Sequence, residues 1–249
     1  MQMFPSNPNF TYEDYQPAPY DNYHVDVVAV LDSVKSIFSK YFNSVDALPL
    51  SVINNAPGRN NPEVLRECHI IFLTVDSTTA DGKPACRWSQ FIFQFAHEFC
   101  HYMTFGGVTR TMRWFEETIC ELASHFFLLK SAERWNTAPP YHNWKEYSVC
   151  ISDYESDRKT QVAPFRIKDL WNPNSEILAS LQTNPEQRSI NNYLAVKILP
   201  YFIQRPTLWK IVQHMPAFRP EYTFVENLKH IQQLSKEPIF DIMLELSQL

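Results

Sequence analysis

Residues 88–103 read WSQFIFQFAHEFCHYM, and this stretch sets the reading of everything around it. Apolar side chains fall on nearly every face of a 3.6-residue repeat, which predicts a helix running through the middle of the molecule rather than over its surface. Gly106-Gly107 ends it. Into this helix the chain sets His97, Glu98 and His101, an H-E-x-x-H spacing. Residues four apart on a helix lie about 40° apart around the axis and about 6 Å along it, so two imidazoles can converge on one ion. Glu98 projects beside them, where its carboxylate can take a proton from metal-bound water; in this arrangement it is a base and not a ligand. The residues around these three, Phe95, Ala96, Phe99, Cys100, Tyr102 and Met103, carry no charge. Polar groups sunk in such surroundings are costly without partners, and a metal ion supplies one.

The rest of the composition bounds the setting. At 249 residues, 45% hydrophobic and 14% aromatic, the chain can bury a core large enough to support a cleft without disulfides. The net charge of -5 comes from 27 acids and 22 Lys plus Arg scattered along the sequence. No basic stripe is available to neutralise phosphates, which argues against nucleic acid as a partner. The opening MQMFPSNPNFTYEDY has neither a basic flank nor a long apolar stretch, and no run elsewhere reaches spanning length. The expectation is a soluble cytoplasmic protein with no membrane partner. Cys68, Cys86, Cys100, Cys120 and Cys150 form no C-x-x-C pair, and their odd count reads as reduced, mostly buried thiols.

Working outward, residues 1–23 are rich in Pro, Asn and Tyr without a period and read as an extended arm. Val28, Leu31, Val34, Phe38 and Phe42 recur every three or four residues and predict an amphipathic helix over 25–42. Strands are predicted at 48–53 and at 69–75 (HIIFLTV), the second closed by a turn through Asp81-Gly82. A second long helix is predicted over 111–130, where Trp114, Ile119, Leu122, Phe126 and Leu129 keep a helical rhythm. Helical candidates at 142–154, 188–204, 207–214, 223–235 and 238–248 follow. This gives an α+β arrangement: residues 24–135 as an N-terminal lobe with a small sheet and the motif helix, and 136–249 as a mainly helical C-terminal lobe, the two forming one catalytic unit.

A catalytic zinc usually takes three protein ligands and leaves a fourth position to water. The third is sought in Trp114-Phe115-Glu116-Glu117-Thr118-Ile119-Cys120-Glu121, on the helix after the Gly-Gly turn. Over Phe95 to about Leu129 the chain resembles the gluzincins, zincin metallopeptidases whose third ligand is a glutamate on the helix following the motif helix. The resemblance rests on H97-E98-x-x-H101 and W114-F115-E116-E117. By position it makes Glu117 the ligand, with Glu121 and then Glu116 as alternatives. It also makes Glu121 the acid that hydrogen-bonds a ligating histidine; residues at i and i+4 share a helix face, so Glu117 and Glu121 can point together. Glu116 is expected to face solvent or an ion pair. The chain departs from the larger members in the short gap from His101 to Glu117 and in Gln94, which stands where Val or Thr is common. No third histidine sits at metzincin spacing, so small single-chain gluzincins are the nearest comparison.

The resemblance implies a zincin-like fold, a Zn²⁺ cofactor and hydrolysis of a peptide or protein substrate by a water that Glu98 activates. It also implies an edge strand beside the cleft, for which 69–75 is the candidate, with a plain core strand as the alternative. An oxyanion donor is needed as well. Tyr193 is the first candidate for it, ahead of Tyr201 and His214, each competing with a simple packing or surface role. His24, His69, His125, His142 and His230 read as structural or ordinary, Cys100 as a packing residue, and Arg110 and Arg113 as solvent-facing or ion-paired. Two readings stand against the peptidase: a non-catalytic zincin-like protein whose metal site is structural or regulatory, and a helical interaction module in which the spacing is accidental. Substrate and oligomeric state are not encoded in any of these patterns.

Overall fold

The structure, a computed structural model, describes residues 23–42, 50–56, 58–76 and 87–248. Residues 1–22 of the expected arm, the first residues of the 48–53 strand and the Asp81-Gly82 turn lie outside them. The elements in chain order are helix α1 (Tyr23–Phe38), strands β1 (Ser51–Asn54), β2 (Glu63–Leu65) and β3 (Ile70–Leu73), then α2 (Trp88–Met103) and α3 (Arg113–Thr137). After them come α4 (Tyr147–Lys159), α5 (Glu176–Thr183), α6 (Arg188–Gln204), α7 (Ile211–His214), α8 (Phe224–Ser235) and α9 (Ile239–Leu246). Helix dominates, with one three-stranded sheet among the described residues, an α+β composition. None of these helices is long and apolar enough to cross a membrane.

The chain divides into two compact units. One contains the described residues up to Tyr102 together with Phe127–Glu155; the other contains Met103–Phe126 and the residues from Ser156 onward. Helix α3 therefore contributes its first half to one unit and its second half to the other.

In the first unit β3 is the central strand. It pairs parallel with β1 (Ser51 opposite Ile70) and antiparallel with β2 (Leu65 opposite Ile70), in the order β1-β3-β2. Both of its edges are thus hydrogen-bonded, and the segment 69–75 is a core strand rather than the open edge considered for substrate pairing. The apolar run could not reveal this, because a fully buried strand has the same composition whichever neighbours it has. The edges of the sheet among the described residues are β1 and β2, and β2 itself carried too few apolar residues to be predicted. Asn54 extends the β1–β3 pairing past the last strand residues: its amide donates to Val75 O and accepts from Val75 N, both at 2.9 Å. Gln94 ties α2 to the end of the same strand, accepting from Thr74 N at 2.9 Å. That is the task of the polar residue preceding the motif.

Three helices meet in this unit through aromatic rings. Phe38 of α1 stacks on Phe127 of α3 and sets its edge against Phe99 of α2, with centroids 3.5 and 4.9 Å apart. Phe42 also stacks on Phe38, yet α1 ends at Phe38 and not at Phe42. The backbone turns there, with the Tyr41 and Phe42 amides both donating to Phe38 O, and the apolar rhythm outlives the helix because Phe42 still has core to reach. Farther along α3, Trp135 donates to Ser33 Oγ at 3.1 Å and stacks on Trp144, which stacks on Trp88 at the start of α2. Ala132 and Trp135 remain buried, which explains why α3 runs to Thr137, well beyond the expected end at 130.

The second unit packs the N-terminal half of α3 among the later helices. Trp114 and Phe115 rest on Phe224 of α8, and Phe126 meets Trp209, which also contacts Phe202 of α6. Helix α5 was not predicted; it is short, and only its Ser175 cap, which accepts from Leu178 N at 3.3 Å, marks it locally.

Because Phe38 is fully buried among three rings, replacing it with alanine leaves a cavity that neighbouring helices cannot fill by small shifts. Phe38→Ala is expected to cost about 3–5 kcal/mol of stability, measured by chemical denaturation against the native chain.

Candidate metal centre

Helix α2 spans the predicted Trp88–Met103, and its burial follows from its composition. Phe91, Ile92, Phe95, Ala96, Cys100 and Met103 are completely excluded from solvent, and Phe99 and Tyr102 are buried. His101 is 7% exposed and Glu98 is 6% exposed, so both polar groups sit inside this apolar shell, while His97 is half-buried. The two imidazoles lie one turn apart, with ring centroids separated by 5.0 Å. Cys100 is wholly buried, in keeping with packing.

After Met103 the chain reverses through three residues with positive φ: Phe105 at 38°, Gly106 at 121° and Gly107 at 74°. Glycine is needed for the 121° conformation, which L side chains rarely adopt even though a Cβ on Gly106 would meet open space. Phe105, half exposed, occupies the left-handed region at the step before. A short 3₁₀ turn at Arg110–Met112 then leads into α3.

At the start of α3 the three acids separate. Glu116 is buried and accepts a hydrogen bond from Thr104 Oγ1 at 2.9 Å. The expectation that Glu116 faces solvent is therefore corrected; its helix face packs inward, and Thr104, just past the end of α2, meets it there. Glu117 is half-buried and Glu121, one turn later, is buried. His97, His101 and Glu117 form a group that could hold a metal ion, each offering one ligand atom and all three atoms within 4.8 Å of one another.

A cation already stands beside this group. Arg66, in a 3₁₀ turn (Arg66–Cys68) between β2 and β3, donates from Nε to His101 O at 2.8 Å and places Nη2 3.3 Å from His101 Nδ1. The carbonyl it takes is one of the last four of α2, which have no partner inside the helix. Next in the chain, His69 adopts a left-handed conformation and hydrogen-bonds through Nδ1 to Tyr102 Oη. Burial pushes the Tyr102 hydroxyl up to about 12, so it stays neutral across the physiological range. His69 is thus tied to the residue after His101.

The candidate tyrosines have contacts of their own. Tyr193 on α6 sets its ring against Phe165, with the Lys197 ammonium 5.6 Å from its centroid, and its hydroxyl makes no hydrogen bond among the described residues. Tyr201 is engaged by Glu245, and the slight burial of its hydroxyl followed by that carboxylate raises its pKa. Arg110 and Arg113 are exposed. Fully buried His125 bonds Asn192 Oδ1 at 2.7 Å, and Asn192 in turn donates to the carbonyls of Arg158 and Gln161. This is a structural bridge from α3 through α6 to the end of α4. Sequence reading missed Arg66, Thr104 and Asn192, and the partner of Gln94, for one reason: each acts on another segment, and no local spacing announces it.

The class of site is a two-histidine, one-carboxylate group on consecutive helices. The chain matches no family model, no curated protein and no solved structure at a significant level.

The Thr104–Glu116 bond anchors the start of α3 against the turn. Thr104→Val keeps the shape but deletes the donor to a buried carboxylate, and is expected to lower stability by about 1–3 kcal/mol in thermal or urea unfolding.

Proposed function

We propose that this protein is a zinc-dependent peptidase of the zincin type, resembling the small gluzincins, with His97, His101 and Glu117 as metal ligands and Glu98 as general base. The observation that carries the reading is the convergence of one ligand atom from each of these three side chains within 4.8 Å, beside a buried glutamate next to His97 in the chain. The donor set suits zinc: two imidazole nitrogens and one carboxylate are the ligand types of hydrolytic zinc sites, and they leave a position for water.

When bound, zinc would polarise the substrate carbonyl and make water acidic enough to ionise near neutral pH. The histidines contribute neutral lone pairs, and Glu117 contributes the negative charge that offsets part of the cation's. Glu98 lies about 100° around α2 from His97 and about 60° past the direction of His101, so it flanks the ligand pair without joining it. Its carboxylate takes the proton from water and returns it to the leaving amine. The apolar shell around Glu98 keeps bulk water from competing for that proton. Glu121, one turn beyond Glu117 and buried, orients a ligand by hydrogen bonding. Tyr193 on α6, its ring set against Phe165, is the candidate oxyanion donor of this reading.

The test is metal content and peptide cleavage measured together. One zinc per chain and cleavage of an unstructured peptide library, read by mass spectrometry, are expected for the native protein. Glu98→Gln should retain the metal and lose about 10²–10⁴-fold in rate, whereas His97→Ala and Glu117→Ala should lose the metal itself. Turnover that survives Glu98→Gln would remove the proposed mechanism. A stoichiometric zinc with no cleavage of any peptide would leave a metal site without catalysis.

A further inference from the structure

We infer that Arg113 binds a carboxylate of the peptide substrate one residue beyond the scissile bond, and so selects peptides by their charge at that place. The inference rests on the peptidase reading above and names what the same site accepts. It begins with the part of α3 that is open. From Met112 to Phe126 every side chain is buried except Arg113, which is exposed, and Glu117, which is half-buried. Residues four apart share a helix face, about 40° apart around the axis and about 6 Å along it. The open surface of this half of α3 is therefore a single stripe, with the candidate ligand on it and a guanidinium one turn toward the N-terminus.

The acids nearest in sequence do not neutralise that guanidinium. Glu116, three residues on, is turned inward and accepts from Thr104 Oγ1 at 2.9 Å. Glu121, one turn past Glu117, is buried. Arg113 itself makes no hydrogen bond or ion pair among the described residues. The carboxylates at 117 and 121 give this face a negative potential, which turns away an anionic group unless a fixed cation stands on the same stripe. Arg113 is such a cation, and it is charged at every pH the fold will meet.

The spacing suits a carboxylate close to the reacting carbonyl. An extended peptide advances about 3.3–3.6 Å per residue, so a carboxylate one residue past a carbonyl held beside Glu117 comes within reach of a long side chain based about 6 Å along the helix. The planar fork of arginine can donate to both carboxylate oxygens at once, which a lysine cannot do. Two sources supply the group: the terminal carboxylate of a peptide that loses its last residue, and the side chain of an Asp or Glu that follows the scissile bond. Arg110, in the 3₁₀ turn before α3, is also exposed but lies farther from Glu117, and it serves as the control.

The experiment compares the full-length native chain with Arg113→Gln, Arg113→Lys and Arg110→Gln, each loaded with zinc and measured for metal content. Two probes are titrated by calorimetry: the monohydroxamate of succinic acid, which joins a metal-chelating end to a carboxylate, and its amide, which lacks the charge. The native chain is expected to bind the acid about 10–100-fold more tightly than the amide. Arg113→Gln should bind both alike with its zinc unchanged, Arg113→Lys should keep part of the preference, and Arg110→Gln should change it by less than about twofold. Should the glutamine variant fail to fold, the lysine variant decides, by a preference smaller than the native one. Matched peptides then separate the sources. Loss of the last residue from peptides with a free C-terminus but not from amidated ones assigns the terminal carboxylate, whereas cuts before Asp but not before Asn in amidated peptides assign the side chain. Equal binding of the two probes, or none, by the zinc-loaded native chain overturns the carboxylate site and leaves the metal site standing. So does an equal loss of preference in Arg110→Gln and Arg113→Gln, or cleavage indifferent to both charges. A native chain without stoichiometric zinc overturns the metal site and the carboxylate site together.

Discussion

The aromatic contact of Phe38 with Phe99 and Phe127 is the constraint on which the packing of the first unit depends. It brings the side chain of one helix between the helix that carries both histidines and the helix that carries the glutamates. These rings are rigid and fully buried, so a displacement of either helix opens a void that nothing small can fill. Metal ligands tolerate errors of only a few tenths of an ångström, and such tolerance is reached where the supporting side chains have no alternative rotamer. Gln94 on Thr74 and Trp135 on Ser33 add direction to this packing, because a hydrogen bond fixes rotation that apolar contact leaves free.

A second constraint is electrostatic. Glu98, Glu116 and Glu121 are buried carboxylates, and Glu117 is half-buried beside them in the chain. Each needs a donor or a cation, since a desolvated charge alone is very costly. Thr104 answers for Glu116. In the proposed reading a divalent ion held by His97, His101 and Glu117 adds a cation to this acid-rich site. Arg66 meets the same group from the sheet side through His101.

Much of this was legible in the sequence. Helix α2 and helix α6 run over the predicted residues because each has strong internal signals and a clear stop, Gly106-Gly107 for one and the Arg205-Pro206 break for the other. The candidate ligands could be chosen because helical periodicity alone decides which residues share a face: His97 with His101, Glu117 with Glu121. Where the reading fell short, a partner distant in sequence was responsible. Phe42 looked helical since it packs like a helical residue, although the backbone has already turned. Glu116 looked like a surface acid until Thr104 was seen to cover it. The strand at 70–73 could not be assigned to the centre or the edge of a sheet without β2, three residues too weak in pattern to stand out.

By itself, then, the sequence determined the long helices, the α+β composition and the identity of the residues able to ligate an ion, since these depend on spacing along one axis. Only the tertiary structure decided which glutamate has a carboxylate oxygen near both histidines, which one is tied to Thr104, and that an arginine from a turn preceding β3 lies against His101. The physical reason is range. Helical periodicity acts over four residues, whereas the contact of Arg66 with His101 spans 35, and a contact of that length is written in the packing of whole elements rather than in any local pattern.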